Sequence, residues 1–113
     1  MSEKEIWKVI EGLKWKSDHD YERIQNELSG LDNQREIEEF VNEKANILFK
    51  KYESAWLGHD GGPGISVGDD SWGDLVYDVV GRGEDFYNSI TVDKLREMAN
   101  NYDFEESFIY SFN

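Results

Sequence analysis

Apolar side chains recur at intervals of three and four residues along most of the chain, which is the spacing of one face of an α-helix. The first such stripe follows Ser2 and Glu5, whose S-x-x-E spacing is that of a capping box at a helix N-terminus. A polar group, Ser17, Asp18 and Asp20, then interrupts the pattern and offers an N-cap for a second helix. The first part of the chain is therefore predicted to form two amphipathic helices.

The third apolar stripe is the longest and predicts a helix over residues 33–56, with Asp32 as its N-cap. Acidic residues occupy its other side, so we expect this helix to lie at the centre of the fold. A loop rich in glycine follows over residues 58–68. Because glycine and proline both disfavour helix, this loop is predicted to separate two helical parts of the chain.

A fourth helix is predicted to begin at Gly68 or Asp69 and to bury an apolar stripe over residues 72–80. Several of these apolar residues are valines, which are mediocre helix formers and favour strands. A strand over residues 75–80 is therefore the alternative. If the helix forms, packing against the rest of the protein must stabilise it.

The remainder of the chain continues the helical pattern after a break at residues 81–83, which contain two glycines. A helical turn resumes at residues 84–87, and Thr91 is the expected N-cap of a last helix. The tail, residues 104–112, is too apolar to remain in solvent, so we expect it to dock on the body. Together these elements predict a mainly α fold, a single compact domain over residues 1–113 with five or six helices.

The composition is typical of a folded cytoplasmic protein. The chain has 113 residues and no cysteine, which suits a reducing compartment. Its N-terminus is charged and lacks the apolar core of a signal peptide, and no apolar run approaches the roughly 20 residues of a membrane span. Aromatic residues make up 14% of the chain, far more than a disordered segment contains.

The net charge is −13, and it is unevenly distributed. Residues 1–57 carry 13 acids and 9 bases, whereas residues 58–113 carry 12 acids and 3 bases. The second half therefore projects a negative field that repels nucleic acid and anionic membranes and attracts basic partners. Nucleic acid and membranes are consequently excluded as expected partners, and a basic protein is favoured.

Three parts of the chain carry motifs of a known family. These are Ile6-Trp7-Lys8-Val9-Ile10-Glu11, then Ala55-Trp56 before Gly61-Gly62, and then Asp69-Asp70-Ser71-Trp72-Gly73-Asp74-Leu75, with Gly83 and Phe86 behind them. They resemble the Phe-Trp-x-x-Ile-Glu opening, the central Trp-containing segment and the Asp-Asp-x-Phe-x-Asp-Phe motif of the DUF4240 family of bacterial proteins. Departures include Gly68, where the family has Ser, and Val76-Tyr77-Asp78, where it has Arg-x-Trp. The family's function is unknown, so the resemblance implies a shared fold and no chemistry.

Four carboxylates on or beside the Gly-rich loop form the first candidate site: Asp60, Asp69, Asp70 and Asp74. Carboxylate oxygens are the ligands of Ca²⁺ and Mg²⁺, so an uncharacterised enzyme or a metal-binding protein is one hypothesis. Their spacing does not match an EF-hand loop. An aspartate at a helix start is more simply explained as an N-cap, so we expect no metal here.

A second candidate is His59 beside Asp60, which could act as a general-base pair for a serine such as Ser66 or Ser71. Such a combination is common by chance. The Gly-rich loop also lacks the Lys-Ser/Thr of a phosphate-binding loop, and its carboxylates would repel phosphate. We therefore expect neither catalytic residues nor a cofactor.

The most specific expectation concerns an acidic ladder on the fourth helix. Asp70, Asp74 and Asp78 are spaced i, i+4 and i+8, so they share one face, and the buried apolar stripe should leave that face in solvent. Like charges at this spacing repel one another, which is more easily understood if a basic partner meets them. With Asp69 and Glu84 at the margins, these residues are predicted to form a partner-binding surface.

The sequence thus favours a small acidic binding protein over an enzyme. Aromatic residues among the acids of the second half would supply anchors for a partner: Trp72, Tyr77, Tyr87, Tyr102 and Tyr110. The leading hypothesis is an immunity-type inhibitor that neutralises a nuclease-like toxin by covering its basic surface. A phage-encoded inhibitor of a nucleic-acid-binding defence enzyme is the alternative.

Overall fold

Seven α-helices and a C-terminal 3-10 helix make up the fold in a computed structural model that describes residues 1–16, 20–106 and 108–112. The helices are α1 (Glu3–Gly12), α2 (Tyr21–Ser29), α3 (Gln34–Lys51), α4 (Glu53–Leu57), α5 (Asp69–Gly81), α6 (Glu84–Ser89) and α7 (Val92–Asn100), and the 3-10 helix spans Phe108–Phe112. The mainly α fold is confirmed, and the alternative strand over residues 75–80 lies within α5. None of the helices in these ranges has the length and apolar character needed to cross a bilayer.

Three of the predicted helix starts are confirmed by their hydrogen bonds. Ser2 Oγ accepts the backbone N–H of Glu5 at 3.2 Å, and the Glu5 carboxylate accepts the backbone N–H of Ser2 at 3.1 Å, which is a complete capping box. Asp20 caps α2 and Thr91 caps α7 by accepting backbone N–H groups three residues later. These caps were predictable because each depends only on residues close in sequence.

The predicted third helix is wrong at both ends. Its N-cap is Asn33 rather than Asp32, and that cap makes no side-chain hydrogen bond to the helix. At the other end, the backbone of Tyr52 leaves helical values (φ −107°, ψ 10°) and divides the stretch into α3 and α4. The apolar spacing continues across this break, so periodicity alone cannot detect it. Of the polar group proposed to cap the second helix, Ser17 and Asp18 lie outside the described residues.

The core is one continuous apolar cluster with α3 packed against α5 at its centre. Trp56 of α4 stacks on Trp72 of α5 with ring centroids 5.5 Å apart and planes 7° from parallel. Phe49 meets both rings edge-on or tilted. Aromatic contacts of this kind add roughly 0.5–1.5 kcal/mol beyond the burial of their area, so this cluster holds α5 in place despite its valines.

The C-terminal tail docks on the body, as expected from its apolar residues. The 3-10 helix packs against α2, α3 and α5, and Phe108 lies 5.1 Å from Trp15 between ring centroids. Gln34 of α3 donates to the backbone oxygen of Phe112 at 2.9 Å, which fixes the end of the tail. The tail therefore closes one side of the core beside the C-terminal end of α5.

Gly81, the last residue of α5, leaves the space that Trp15 and Phe108 occupy. A Cβ placed there would lie 2.7 Å from Trp15 Cδ1 and 3.1 Å from Phe108 Cγ, which is closer than packed atoms approach. By contrast, a Cβ at Gly73 in the same helix would meet nothing within 4 Å. Packing therefore leaves no room for a side chain at Gly81, whereas a methyl group fits at Gly73.

Gly81→Ala is expected to lower the free energy of unfolding by about 1–3 kcal/mol, because the added methyl forces Trp15 or Phe108 to move. Gly73→Ala is the matched control and should raise it by about 0.5–1 kcal/mol, since alanine favours helix where there is room. Urea denaturation of the two variants measures both values. Equal stability of the two would show that Gly81 is not a packing requirement.

Candidate partner-binding surface

The start of α5 presents two of the predicted acids to solvent. Gly68 is the N-cap, and Asp69 and Asp70 form the first turn with both side chains exposed. The positive end of the helix dipole favours negative charge at these positions. Neither carboxylate forms an ion pair with any described residue. Their charge is therefore available to a partner.

Asp78, the third member of the acidic ladder, does not face solvent. The residue is 1% exposed, so its predicted outward position is wrong. Its Oδ2 accepts the indole N–H of Trp15 at 3.1 Å and the backbone N–H of Glu105 at 2.9 Å, and its Oδ1 accepts Arg82 Nε at 2.6 Å. The docked tail covers this part of α5, which the sequence pattern within the helix does not reveal.

Arg82 completes this buried network. Its side chain is 7% exposed, pairs with Asp78 and donates from Nη2 to the backbone oxygen of Asp103 at 2.6 Å. The Asp103 carboxylate also pairs with Lys16, and this hydrogen bond is the main reason that the pKa of Asp103 is lowered. The buried charges are thus matched by opposite charges and hydrogen bonds, as burial requires.

Asp74 is half-buried and lies on the same side of α5 as the tail acids. Asp74 is one of the charges around the Tyr21 hydroxyl, whose pKa is raised to about 12. Burial is the largest cause, and nearby negative charges add to it in this order: Glu106, Glu105, Asp74 and Asp78. Acids from α5 and from the tail therefore converge near the start of α2.

Glu105 and Glu106 were not identified from the sequence as part of this surface. Both side chains are exposed, and the Tyr21 hydroxyl donates to the backbone oxygen of Glu106. They lie 27 or more residues after Asp78, so only the docked tail brings them beside α5. The one indication in the sequence was the apolar character of that tail, which predicted docking but not its site. We call Asp69, Asp70, Asp74, Glu105 and Glu106 the acidic surface.

Glu84 lies at the other end of α5 from Asp69. It occupies the first turn of α6, and its backbone N–H donates to Glu11 at 3.1 Å. The 13 residues of α5 separate the two acids, a distance of about 20 Å at the usual helical rise. The structure therefore does not bring Glu84 together with the first turn of α5.

The five aromatic residues proposed as anchors fall into two groups. Trp72 is 0% exposed and belongs to the core, and Tyr77 and Tyr87 are half-buried. Tyr102 and Tyr110, however, are 82% and 57% exposed. Tyr102 also has a left-handed backbone (φ 52°), which is uncommon for a residue with a side chain. It stands three residues before Glu105 in the chain.

The candidate residues of the Gly-rich loop do not assemble into a metal site. Asp60 is exposed and accepts the backbone N–H of Gly62 at 2.9 Å, a local turn. His59 and Ser66 are exposed as well. Across the described ranges no three or more side chains of metal-ligating type are grouped closely enough to hold an ion.

The family model named "Protein of unknown function (DUF4240)" matches residues 1–111. The chain belongs to the DUF4240 family. No curated protein and no solved structure matches it significantly. The family motifs in this DUF4240 member place Trp7, Trp56 and Trp72 in the core, so they explain the fold more directly than a site.

Replacing Glu105 and Glu106 together by Gln is expected to lower the pKa of Tyr21, because two of the negative charges that raise it are removed. The pKa should stay above 10, since burial is the larger cause and remains. The ¹³C chemical shift of Tyr21 Cζ followed against pH measures this value. Because folding raises the pKa of Tyr21, the stabilisation present below pH 10 is lost as the pH rises through the folded pKa, and the variant loses less of it because its folded pKa is lower.

Glu97→Gln on α7 is the matched control, since Glu97 is exposed and is not among the charges that raise the pKa of Tyr21. It should leave the titration of Tyr21 unchanged. An unchanged pKa in the Glu105 and Glu106 variant would mean that the tail acids do not lie beside Tyr21.

Proposed function

We propose that this DUF4240 protein is a non-enzymatic binding protein that neutralises a basic protein partner through the acidic surface. The observation that carries the proposal is that hydrogen bonds from the Glu105 N–H to Asp78 and from Tyr21 to the Glu106 carbonyl hold the two tail acids beside α5. Asp69 and Asp70 add negative charge without an ion pair among the described residues. Such a surface attracts a basic partner and speeds its association.

Tyr102 supplies the second element that a protein interface needs. Charge steers a partner, but much of the binding free energy at interfaces comes from a few buried anchors, among which tyrosine is enriched. The Tyr102 ring is 82% exposed and lies between the end of α7 and the tail, three residues before Glu105. Its face can also stack on a lysine or arginine of the partner as a cation–π contact.

Asp78 and Glu84 leave the proposed contact set. Asp78 is buried among its three donors, so it offers no atom to a partner. Glu84 lies beyond the far end of α5. The contact residues that we propose are therefore Tyr102 and the acidic surface.

A partner that binds nucleic acid is the class that best fits this surface, because an acidic surface resembles the phosphate backbone in charge. We propose a nuclease-like toxin, which makes this protein a cytoplasmic immunity protein. An inhibitor carried by a phage against a nucleic-acid-binding defence enzyme uses the same chemistry. The genes adjacent to this one distinguish the two, since a toxin reading frame indicates immunity and a phage operon indicates counter-defence.

The proposal is tested by co-expression with the products of the adjacent genes and by calorimetry on any that bind. Replacing Asp69, Asp70 and Asp74 together by Asn should weaken binding at low salt at least tenfold, about 1.4 kcal/mol. Thermal melting followed by circular dichroism checks that the variant is folded.

The matched control carries the same change in net charge elsewhere: Glu53→Gln, Asp93→Asn and Glu97→Gln, all at exposed positions. It should bind within about twofold of the native protein. If the α5 variant binds as tightly as the native protein, the contact surface lies elsewhere. If the control weakens binding equally, only the total charge matters and the acidic surface is not a specific site.

A further inference from the structure

We infer that Asp78 is a positioning residue for the tail half of the acidic surface. The inference rests on the proposed function in one respect, namely that Glu105 and Glu106 meet a partner. Asp78 itself touches no solvent, yet it is bonded directly to the backbone that carries these two acids. It therefore acts on binding through the placement of the tail.

The tail is held at two backbone points by one buried pair. Asp78 Oδ2 accepts the N–H of Glu105 at 2.9 Å, and Arg82 Nη2 donates to the backbone oxygen of Asp103 at 2.6 Å. These points are two residues apart, and Tyr102 precedes them directly. Asp78 and Arg82 thus hold the backbone that carries the acids and Tyr102 against the end of α5, in addition to the bond from Tyr21 to the Glu106 carbonyl.

The chemistry of this attachment requires a carboxylate. All three groups around Asp78 are donors, namely the indole N–H of Trp15, the guanidinium of Arg82 and the N–H of Glu105. An ionised carboxylate only accepts, so it satisfies all three, whereas the isosteric amide of Asn has one accepting oxygen and an NH₂ group that must face a donor. Loss of the charge also removes the carboxylate with which Arg82 forms its shorter ion pair.

Asp78→Asn is expected to accelerate hydrogen exchange of the Glu105 amide at least tenfold beyond the change seen at core amides such as that of Leu95. Ile37→Val is the structural control, since Ile37 is a fully buried core residue of α3 and is not among the groups bonded to Asp78. In that variant, the Glu105 and Leu95 amides should change together. Parallel changes in both variants would overturn a positioning role for Asp78.

A second pair of variants leaves the buried ion pair intact and also covers the case in which Asp78→Asn fails to fold. Glu105→Pro removes the N–H that Asp78 accepts, and Glu105→Gln removes the same side-chain charge but keeps that N–H. With poly-L-lysine as the basic probe, Glu105→Pro should bind at least fivefold more weakly than Glu105→Gln. Its Glu106 amide should have a lower ¹⁵N order parameter than that of Glu105→Gln, because the backbone next to it is less restrained.

The two readouts separate this inference from the proposed function. Equal probe binding and equal Glu106 order parameters in Glu105→Pro and Glu105→Gln would overturn the positioning role. A lower order parameter combined with equal binding would mean that the tail is attached as we infer but is not part of the binding surface. In that case Tyr102, Glu105 and Glu106 no longer belong to the proposed contact residues. The attachment of the tail to Asp78 would still hold.

Discussion

The buried carboxylate of Asp78 is the interaction on which the rest of the structure depends. A charge in an apolar interior is costly unless it is paired and fully hydrogen-bonded, and removing one partner of such a pair typically costs about 3–5 kcal/mol. Here the donors come from the segment after α1, from the end of α5 and from the tail. One carboxylate thus ties together parts of the chain that no local pattern connects.

Much of the fold was predictable because its determinants are local. The caps at Ser2, Asp20 and Thr91 and the stripe of α5 each depend on a few neighbouring residues. The break at Tyr52 was not predictable, because the apolar spacing continues through it. In the candidate site, too, some positions follow from the local sequence and others do not. Asp69 and Asp70 were placed correctly in solvent at a helix start, whereas Asp78 has the same spacing and is buried, because tertiary contacts with the tail override the pattern within α5.

Charge in this protein is used in two different ways. Inside, Asp78 and Arg82 are matched and serve the packing of the tail. Outside, Asp69 and Asp70 place negative charge in solvent at the start of α5, where the basic partner that we propose would meet it. Membership of the DUF4240 family accounts for the shared aromatic core and leaves the partner open.

All four tryptophans lie in the core: Trp7, Trp15, Trp56 and Trp72 are at most 9% exposed. Their fluorescence therefore reports the loss of tertiary packing and is insensitive to changes on the outer face of the molecule. Trp56 and Trp72, stacked within 7° of parallel, also bring two indole transition dipoles close enough to couple. Circular dichroism from that coupling adds to the helical signal, so a change in ellipticity on mutation reflects the geometry of one ring pair as well as helix content.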